Sequence, residues 1–291
     1  MALLNTAETR LSVMVMIARQ LLGSEGTGLP ESDLKASLSM KSESTDVIRS
    51  LAGMKLIGLF KDEQEEDNLR ELTEESASAL TESLESFIKH VRMQVMAPAC
   101  NTDPWGKQGG ARDLTTSLAH YLSLPFAEAE SNFTEMNNHQ LRDLGRAGRE
   151  GAVRDTNQWA AFYRWTCALG FGWLDLNEKL IPDPTVALLD VLPEIFIEKT
   201  VLHGNVFLKS ISELLPVLDG GNYQKFVRKN GLKSYREAPN ILSDGLSFAL
   251  RNLEEMGKVT LINEPDAGNK VVRLSPSVLK DQFSEVRYCN E

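Results

Sequence analysis

The sequence has few of the residues that build disulfide frameworks or metal sites. Its three cysteines, Cys100, Cys167 and Cys289, lie far apart in a chain of 291 residues, so a disulfide framework is not expected and a reducing compartment fits. The four histidines stand alone, without an HExxH pattern or a CxxC pair to supply zinc ligands. We therefore expect solvated or core histidines, no metal and no cofactor.

Long apolar runs and catalytic motifs are also missing. No stretch approaches the ~20 apolar residues that span a bilayer, and the start, MALLNTAETR, lacks a basic region followed by an apolar run. A cytoplasmic protein is therefore expected. The stretch WGKQGGAR lacks the spacing of a phosphate-binding loop, and no GxSxG elbow is present. The sequence predicts no enzyme, while a divergent metal site built from scattered carboxylates stays open as an alternative.

What is present is the composition of an ordinary globular protein, with 42% hydrophobic and 25% charged residues. The length suffices for about two domains at roughly 100–200 residues each. A net charge of −10 makes the protein as a whole repel polyanions. Any contact with DNA must therefore be local.

The first part of the chain, residues 1–75, predicts a winged helix-turn-helix module. Apolar residues at helical spacing, such as Met14 and Met54, indicate three short helices, with a break at the glycines after residue 22. Extended segments at 56–60 and 69–72 then flank a polar turn. Three helices followed by a β-hairpin are typical of a winged helix, in which the third helix is the candidate reader of a groove.

Residues 76–195 predict a linking helix and a helical middle domain. Apolar spacing from 76 to 96 indicates the helix, and residues 112–190 are mostly helical in pattern with breaks at prolines and glycines. An aromatic cluster is the expected centre of the core. Its members are Trp159, Phe162, Tyr163, Trp165, Phe171 and Trp173.

Residues 196–291 predict a second winged helix-turn-helix module. Three helical stripes are followed by an extended segment at 259–262, a polar turn, and a returning strand at 271–274. The fold class expected for the whole chain is therefore mainly α with small β-hairpins, with a winged helix at each end of a helical middle domain.

A basic tract in the second module is the candidate nucleic-acid contact. Residues 225–236, KFVRKNGLKSYR, contain no acid, and they lie where a helix-turn-helix backbone faces phosphates. A solvated basic face that balances an acidic body is the equally weighted alternative. The predicted nucleic-acid-binding residues are Lys225, Arg228, Lys229, Lys233, Arg236, Arg251 and Lys270.

The first module is predicted to bind protein instead of DNA. Its wing tip, DEQEED, has five acids in six residues, which opposes binding to phosphates. Its third helix is close to neutral, with Arg49 and Lys55 set against nearby acids. These two residues are the candidate protein-interaction residues.

Three segments resemble a known family. RWTCALGFGW (164–173), IPDPTVAL (181–188) and LLPVLDGG (214–221) are similar to the DpdG proteins encoded with bacterial DNA 7-deazapurine modification and phage-defence clusters. The resemblance covers about 60 residues and offers no catalytic residues to carry over. It implies an accessory protein that works beside DNA-modifying or DNA-restricting partners.

Two functions remain open at this point. The leading hypothesis is a non-catalytic, DNA-associated accessory protein whose C-terminal module contacts duplex DNA. The alternative is an adaptor whose winged helices dock protein partners of the same system without contacting DNA. A homodimer is compatible with both.

Overall fold

The secondary structure of the chain is mainly helical, with small antiparallel sheets, which confirms the predicted fold class at that level. The computed structural model describes residues 2–4, 9–24, 28–38, 45–61, 69–102, 109–129, 132–231, 241–264, 271–278 and 281–289. Within these ranges, no helix is long and apolar enough to cross a membrane.

In the ranges that the structure describes, the N-terminal part has the three predicted helices and two short strands. They are α1 (Leu11–Leu22), β1 (Leu29–Pro30), α2 (Glu31–Leu38), α3 (Thr45–Leu56) and β2 (Leu69–Arg70).

The predicted extended pair in this part begins later than expected. Helix α3 extends through Leu56, the residue at which the sequence predicted the extended segment to begin. Antiparallel pairing then starts at Leu59, whose carbonyl accepts from the N–H of Thr73 at 3.0 Å, and continues as a bridge between Phe60 and Leu72. Strand β1, which the sequence did not predict, pairs antiparallel with β2.

Helices α1 and α3 meet at a close contact around Gly53. A Cβ placed there would lie 2.6 Å from the Cε of Met14 and 2.8 Å from the Cγ2 of Thr9, so a larger residue would force those side chains to shift. One turn earlier, the buried Oγ of Ser50 accepts from the N–H of Arg10 at 3.2 Å. The inner face of α3 therefore packs against α1, and the opposite face of α3 points toward solvent.

The middle part is the predicted helical region with one unpredicted hairpin. Its helices are α4 (Glu74–Glu82), α5 (Leu84–Met96), α6 (Arg112–Tyr121), α7 (Phe133–Glu150), α8 (Thr156–Ala168) and α9 (Thr185–Ile195). The hairpin lies between α8 and α9, where strand β3 (Gly172–Leu174) pairs antiparallel with β4 (Leu180–Pro182). Helix α7 is kinked at Gly145, which has a φ of 66°.

Most of the aromatic cluster lies in the core as expected, but Trp173 does not. Trp159, Phe162, Trp165 and Phe171 are buried, whereas Trp173 is 46% exposed. The prediction for Trp173 is wrong because it lies on the β3–β4 hairpin, which carries its side chain out of the helical layer. Helical periodicity alone does not indicate this hairpin.

Among its described residues, the C-terminal part has three helices, a three-stranded sheet and a two-stranded sheet. The elements are β5 (Val201–His203), α10 (Gly204–Leu214), α11 (Asn222–Asn230), α12 (Asp244–Glu255), β6 (Val259–Ile262), β7 (Val272–Arg273), β8 (Gln282–Phe283) and β9 (Glu285–Tyr288).

The predicted partner of the strand at 259–262 is wrong. Strand β6 pairs antiparallel with β9, and β9 also pairs with β5 on its other edge. The expected returning strand at 271–274 instead supplies β7, which pairs with β8. Alternation of apolar residues predicts that a strand exists, but not which strand it pairs with. Pairing depends on burial, and β9, whose Val286 is fully buried, occupies the central position of the three-stranded sheet. The carbonyl of Arg273 meanwhile accepts from the N–H of Leu242 at 3.0 Å.

The buried side chains of all three parts form one continuous hydrophobic cluster. Helices α10 and α12 pack against α9, and α11 packs against α6 and α7. The division into 1–75, 76–195 and 196–291 remains a prediction about domain boundaries.

The first residues of the chain are held by a buried carboxylate. The N–H of Leu3 donates to the carbonyl of Gly110 at 2.9 Å, and the N–H of Leu4 donates to Oδ2 of Asp113 at 2.8 Å. Leu3, Leu4 and Asp113 are all fully buried. Burial raises the pKa of Asp113 to about 7, although hydrogen bonds from backbone N–H groups act in the opposite direction.

This raised pKa predicts a pH-dependent contribution to stability. The carboxyl of Asp113 binds its proton more tightly in the folded state (about 7) than in the unfolded state (about 4), so its stabilising contribution is full below pH 4 and is lost as the pH rises through 7. Asp113→Asn removes the titration. We expect the free energy of unfolding of the wild type, relative to this variant, to fall by roughly 2–3 kcal/mol between pH 5 and pH 8 in urea titrations.

Asp33→Asn, which changes an exposed carboxylate on α2, is the matched surface control. A difference for Asp113→Asn that does not change with pH would contradict the assignment.

Candidate nucleic-acid interface

Helix α11 carries the described part of the basic tract. Its inner face packs on α6 and α7, where Gln224 and Val227 are buried. Lys225 and Lys229 are exposed and lie one helical turn apart. These two lysines are therefore placed as a phosphate contact requires, and their role stays a prediction.

Arg228 lies differently from its two neighbours. It is only partly exposed, and its charge acts on the carboxyl of Asp219. Burial raises the pKa of Asp219, while the hydrogen bonds from Ser243 and the charge of Arg228 partly offset that effect. Arg228 is thus already engaged in a local electrostatic interaction within the protein.

Helix α12, the third helix of the C-terminal part, has no fully exposed residue between Asp244 and Glu254. It packs against α9 and β6. A recognition helix must present several side chains to base edges, whereas α12 has only a partly exposed face, formed by Phe248, Arg251, Asn252 and the exposed Glu255 at its end. Its buried residues are Asp244, Gly245, Leu246, Ser247, Ala249, Leu250 and Leu253.

The polar side chains of α12 are used inside the protein. The Oγ of Ser247, which is fully buried, accepts from the N–H of Ser275 at 2.8 Å. The Nδ2 of Asn252 donates to the Oγ1 of Thr185 on α9 at 3.1 Å. These contacts hold α12 to its neighbours instead of to a ligand.

Arg251, a predicted DNA contact on α12, forms ion pairs with two acids. Its guanidinium binds the carboxylates of Glu254 and Asp281, and Glu254 also accepts from the N–H of Leu261 at 3.0 Å. A phosphate would have to compete with both carboxylates for this cation. Its role in binding DNA stays a prediction, as do those of Lys233, Arg236 and Lys270, which lie outside the described residues.

The start of α12 is held by a network that sequence patterns do not reveal. Asp244 is buried, and its Oδ2 accepts from the N–H of Phe126 at 2.9 Å. Its Oδ1 accepts from the hydroxyls of Ser275 and Ser277. The N-cap at Ser243, whose Oγ accepts from the N–H of Leu246, is a signal that the sequence offers. The sequence gives no signal for the contacts between residues more than 30 positions apart.

The third helix of the N-terminal part, α3, does present an open face. Its buried residues face α1, whereas Ile48, Arg49 and Lys55 are exposed. Ile48 is 41% exposed. An exposed apolar side chain beside cations suits a protein surface better than a phosphate, and the role predicted for Arg49 and Lys55 remains a prediction.

A second cluster of titratable groups lies in the core of the middle part. The Nε2 of His120 is 2.9 Å from Oδ2 of Asp143, and Arg142 donates to the same carboxylate. Burial lowers the pKa of His120. Burial would raise the pKa of Asp143, but hydrogen bonds from His120 and Arg142 outweigh it and hold that pKa at about 2.

His120 is fully buried, whereas the side chain of Arg142 is 46% exposed. In the part of the chain that the structure describes, no group of three His, Cys, Asp or Glu side chains could hold a metal ion.

Comparison with known protein families gives a match, which covers most of the chain. The model of the DpdG-like family matches residues 1–267. The chain belongs to the DpdG-like family. The resemblance noted on three short segments is thereby confirmed over the N-terminal, middle and most of the C-terminal part. No curated protein and no solved structure matches the chain. Membership of the family supports an association with DNA-modification systems.

The network at the start of α12 leads to a stability prediction. Asp244→Ala removes the acceptor of the Phe126 N–H and of the buried Ser275 hydroxyl, so we expect the free energy of unfolding to fall by about 3 kcal/mol in urea titrations. Asp281→Asn is the control, because its side chain is 45% exposed and its surface ion pair contributes about 1 kcal/mol or less. Equal losses in the two variants would show that Asp244 does not anchor α12.

Proposed function

We propose that this chain is a non-catalytic, cytoplasmic accessory protein of a DNA-modification and phage-defence system, and that it works mainly as an adaptor for protein partners. Family membership supports the setting. The observation that carries the adaptor function is the engagement of α12 within the protein. Arg251 and Asn252, on its partly exposed face, already bind acids and Thr185, so they are not held ready to read a groove.

Both ends of the chain are proposed to be winged helices. At the N-terminal end, the order α1, β1, α2, α3 and the antiparallel pairing of Phe60 with Leu72 support this assignment. At the C-terminal end, α10, α11 and α12 are followed by β6, which pairs with β9 beside β5. In both cases, three helices precede an antiparallel pair, as in the winged-helix motif.

The docking surface proposed for the N-terminal module is the open face of α3. Val47, Leu51 and Met54 are buried on the opposite face, so substitutions on the open face leave the core intact. Ile48 supplies apolar contact area, and Arg49 supplies a charge that can be paired across an interface.

Co-expression with the other proteins of the same system tests the adaptor function. We expect the wild type to co-elute with at least one of them in size-exclusion chromatography with mass determination by light scattering. Ile48→Asp combined with Arg49→Glu should weaken that complex by about tenfold or more, because it removes an apolar contact and reverses a charge.

Lys209→Glu, an exposed charge reversal on α10, serves as the control and should leave the complex unchanged. If the wild type forms no complex with any of these proteins, and instead binds duplex DNA at micromolar or tighter affinity, the adaptor proposal is wrong.

A second candidate function is a local contact with duplex phosphates through α11. The observation that favours it is the pair of exposed lysines, Lys225 and Lys229, on a helix whose inner face is fixed to α6 and α7. Such a contact would position the protein on DNA without specifying a sequence, and it is compatible with an adaptor that works beside DNA.

The salt dependence of duplex binding tests this contact. Each phosphate neutralised contributes about 0.9 to the slope of log K against log salt. Lys225→Gln combined with Lys229→Gln should therefore reduce the magnitude of the slope by about 2 and weaken binding at low salt, as measured by fluorescence anisotropy. Lys209→Gln is the matched control. An unchanged slope in the double variant would exclude α11 as the contact.

A further inference from the structure

Large apolar side chains are exposed around the β3–β4 hairpin. Trp173 is 46% exposed, Leu174 40% and Val186 of α9 56%, and Leu176 at the tip of the hairpin is fully exposed. Single exposed apolar residues are ordinary, whereas several around one hairpin indicate a surface that another molecule covers. None of them takes part in the functions proposed for α3 or α11.

A cleft of about 190 Å³ lies on the Trp173 side of this hairpin. We name it the hairpin cleft. Its apolar walls come from Ile88 of α5, Trp173 of β3 and Val186 of α9. The cleft is lined by residues from two of the segments that carry the family resemblance, 164–173 and 181–188.

The position of Trp173 is fixed before any partner binds. Its indole Nε1 donates to Oδ2 of Asp183 at 3.2 Å. Asp183 is itself held, because its Oδ1 accepts from the N–H of Thr185 at 3.0 Å, and the Nδ2 of Asn252 lies 3.5 Å from its Oδ2. An aromatic side chain held in this way loses little conformational freedom when a partner packs on it.

The charge of the hairpin cleft is negative. Three carboxylates line it, those of Glu85, Asp183 and Asp190, against one cation, Arg92. Arg92 is almost fully buried, donates to the carbonyl of Leu169 at 2.7 Å, and pairs with Asp190 at 2.9 Å. Arg92 and Asp190 therefore offset each other, and the carboxylates of Glu85 and Asp183 leave the cleft with a negative charge that favours a cation.

The opposite side of the hairpin repeats the combination of aromatic rings and a carboxylate. A cavity of about 140 Å³ there is lined by Trp159, Tyr163, Leu174 and Glu178, together with Leu180. Aromatic faces beside a carboxylate attract ammonium and guanidinium groups. Both sides of the hairpin therefore favour the same chemistry.

We infer that the β3–β4 hairpin is a docking site for a protein partner, which inserts a lysine or arginine side chain, flanked by apolar residues, into the hairpin cleft. The apolar flanks of that segment cover Trp173 and Val186, and its cation meets the carboxylates of the cleft and the indole face. This inference rests on the proposed adaptor function and names a second surface and the kind of segment that it binds.

Selection from a random library of twelve-residue peptides displayed on phage tests the inference on the full-length protein. The wild type is the bait. We expect the selected peptides to share a lysine or arginine beside apolar residues. The strongest peptide is then synthesised with a fluorophore for titration by anisotropy, and replacing its basic residue with glutamine should weaken binding at least fivefold.

Four variants locate the binding on the protein. Trp173→Ala should weaken the peptide at least tenfold, whereas Trp173→Phe should retain most of the affinity because an aromatic face remains. Glu85→Gln, at the rim, should weaken it about threefold. Ile197→Ala, which removes an 82% exposed apolar side chain elsewhere, should have no effect. Thermal melting of each variant checks that the fold is retained.

The inference is overturned if no peptide is selected, if the selected peptides lack a basic residue, or if Trp173→Ala binds them as the wild type does. Its failure differs from failure of the adaptor function. A complex with a protein of the same system that survives Trp173→Ala but is lost in the α3 double variant leaves the adaptor intact and removes the hairpin as its docking site.

Discussion

Two carboxylates meet at the start of α12 and hold the C-terminal part of the chain in place. Asp219 accepts from the backbone N–H and the hydroxyl of Ser243. Asp244, the next residue along, accepts from the N–H of Phe126 in the middle part. A buried donor without an acceptor is costly. A shift of α12 would therefore leave several buried hydrogen-bonding groups without their partners. The packing of α12 on α9 is consistent with this constraint.

The contacts around α12 also determine which cations of the protein are available to DNA. An acidic protein can bind DNA only through a local cationic surface, and two of the cations predicted to contact DNA interact with acids instead. Arg251 has two carboxylate partners, and Arg228 interacts with Asp219. Lys225 and Lys229 remain exposed on α11. Two lysines can position a protein beside DNA, but they do not make it a sequence reader.

Sequence patterns predicted the helices well because each has an apolar face with the helical period, as in α1 and α3. They also gave the exposed positions of Lys225 and Lys229, since charged residues opposite a buried stripe face solvent. They failed on strand partners and on Trp173. The central place of β9 and the hairpin around Trp173 depend on contacts between distant residues, which local periodicity does not encode.

The polar groups that fix the architecture were equally beyond sequence reasoning. Asp113, Asp244 and Arg92 look like ordinary surface charges in the sequence, and only the fold shows them buried against backbone groups from distant segments. The exposed face of α3 was predicted as a protein contact from its charge balance, and the structure adds Ile48 to that face. The engagement of the polar side chains of α12 within the protein was not predicted, and it favours the adaptor over the DNA reader.

Hydrogen exchange measured by mass spectrometry on α12, with and without excess duplex DNA, tests the central claim most directly. If α12 is held in place by its packing and hydrogen bonds, its amides should exchange only through global unfolding. Their opening free energy should then equal the free energy of unfolding from urea titration, and duplex DNA should not change their exchange rates. Exchange through a lower-energy local opening, together with protection of residues 244–255 by the duplex, would contradict the account.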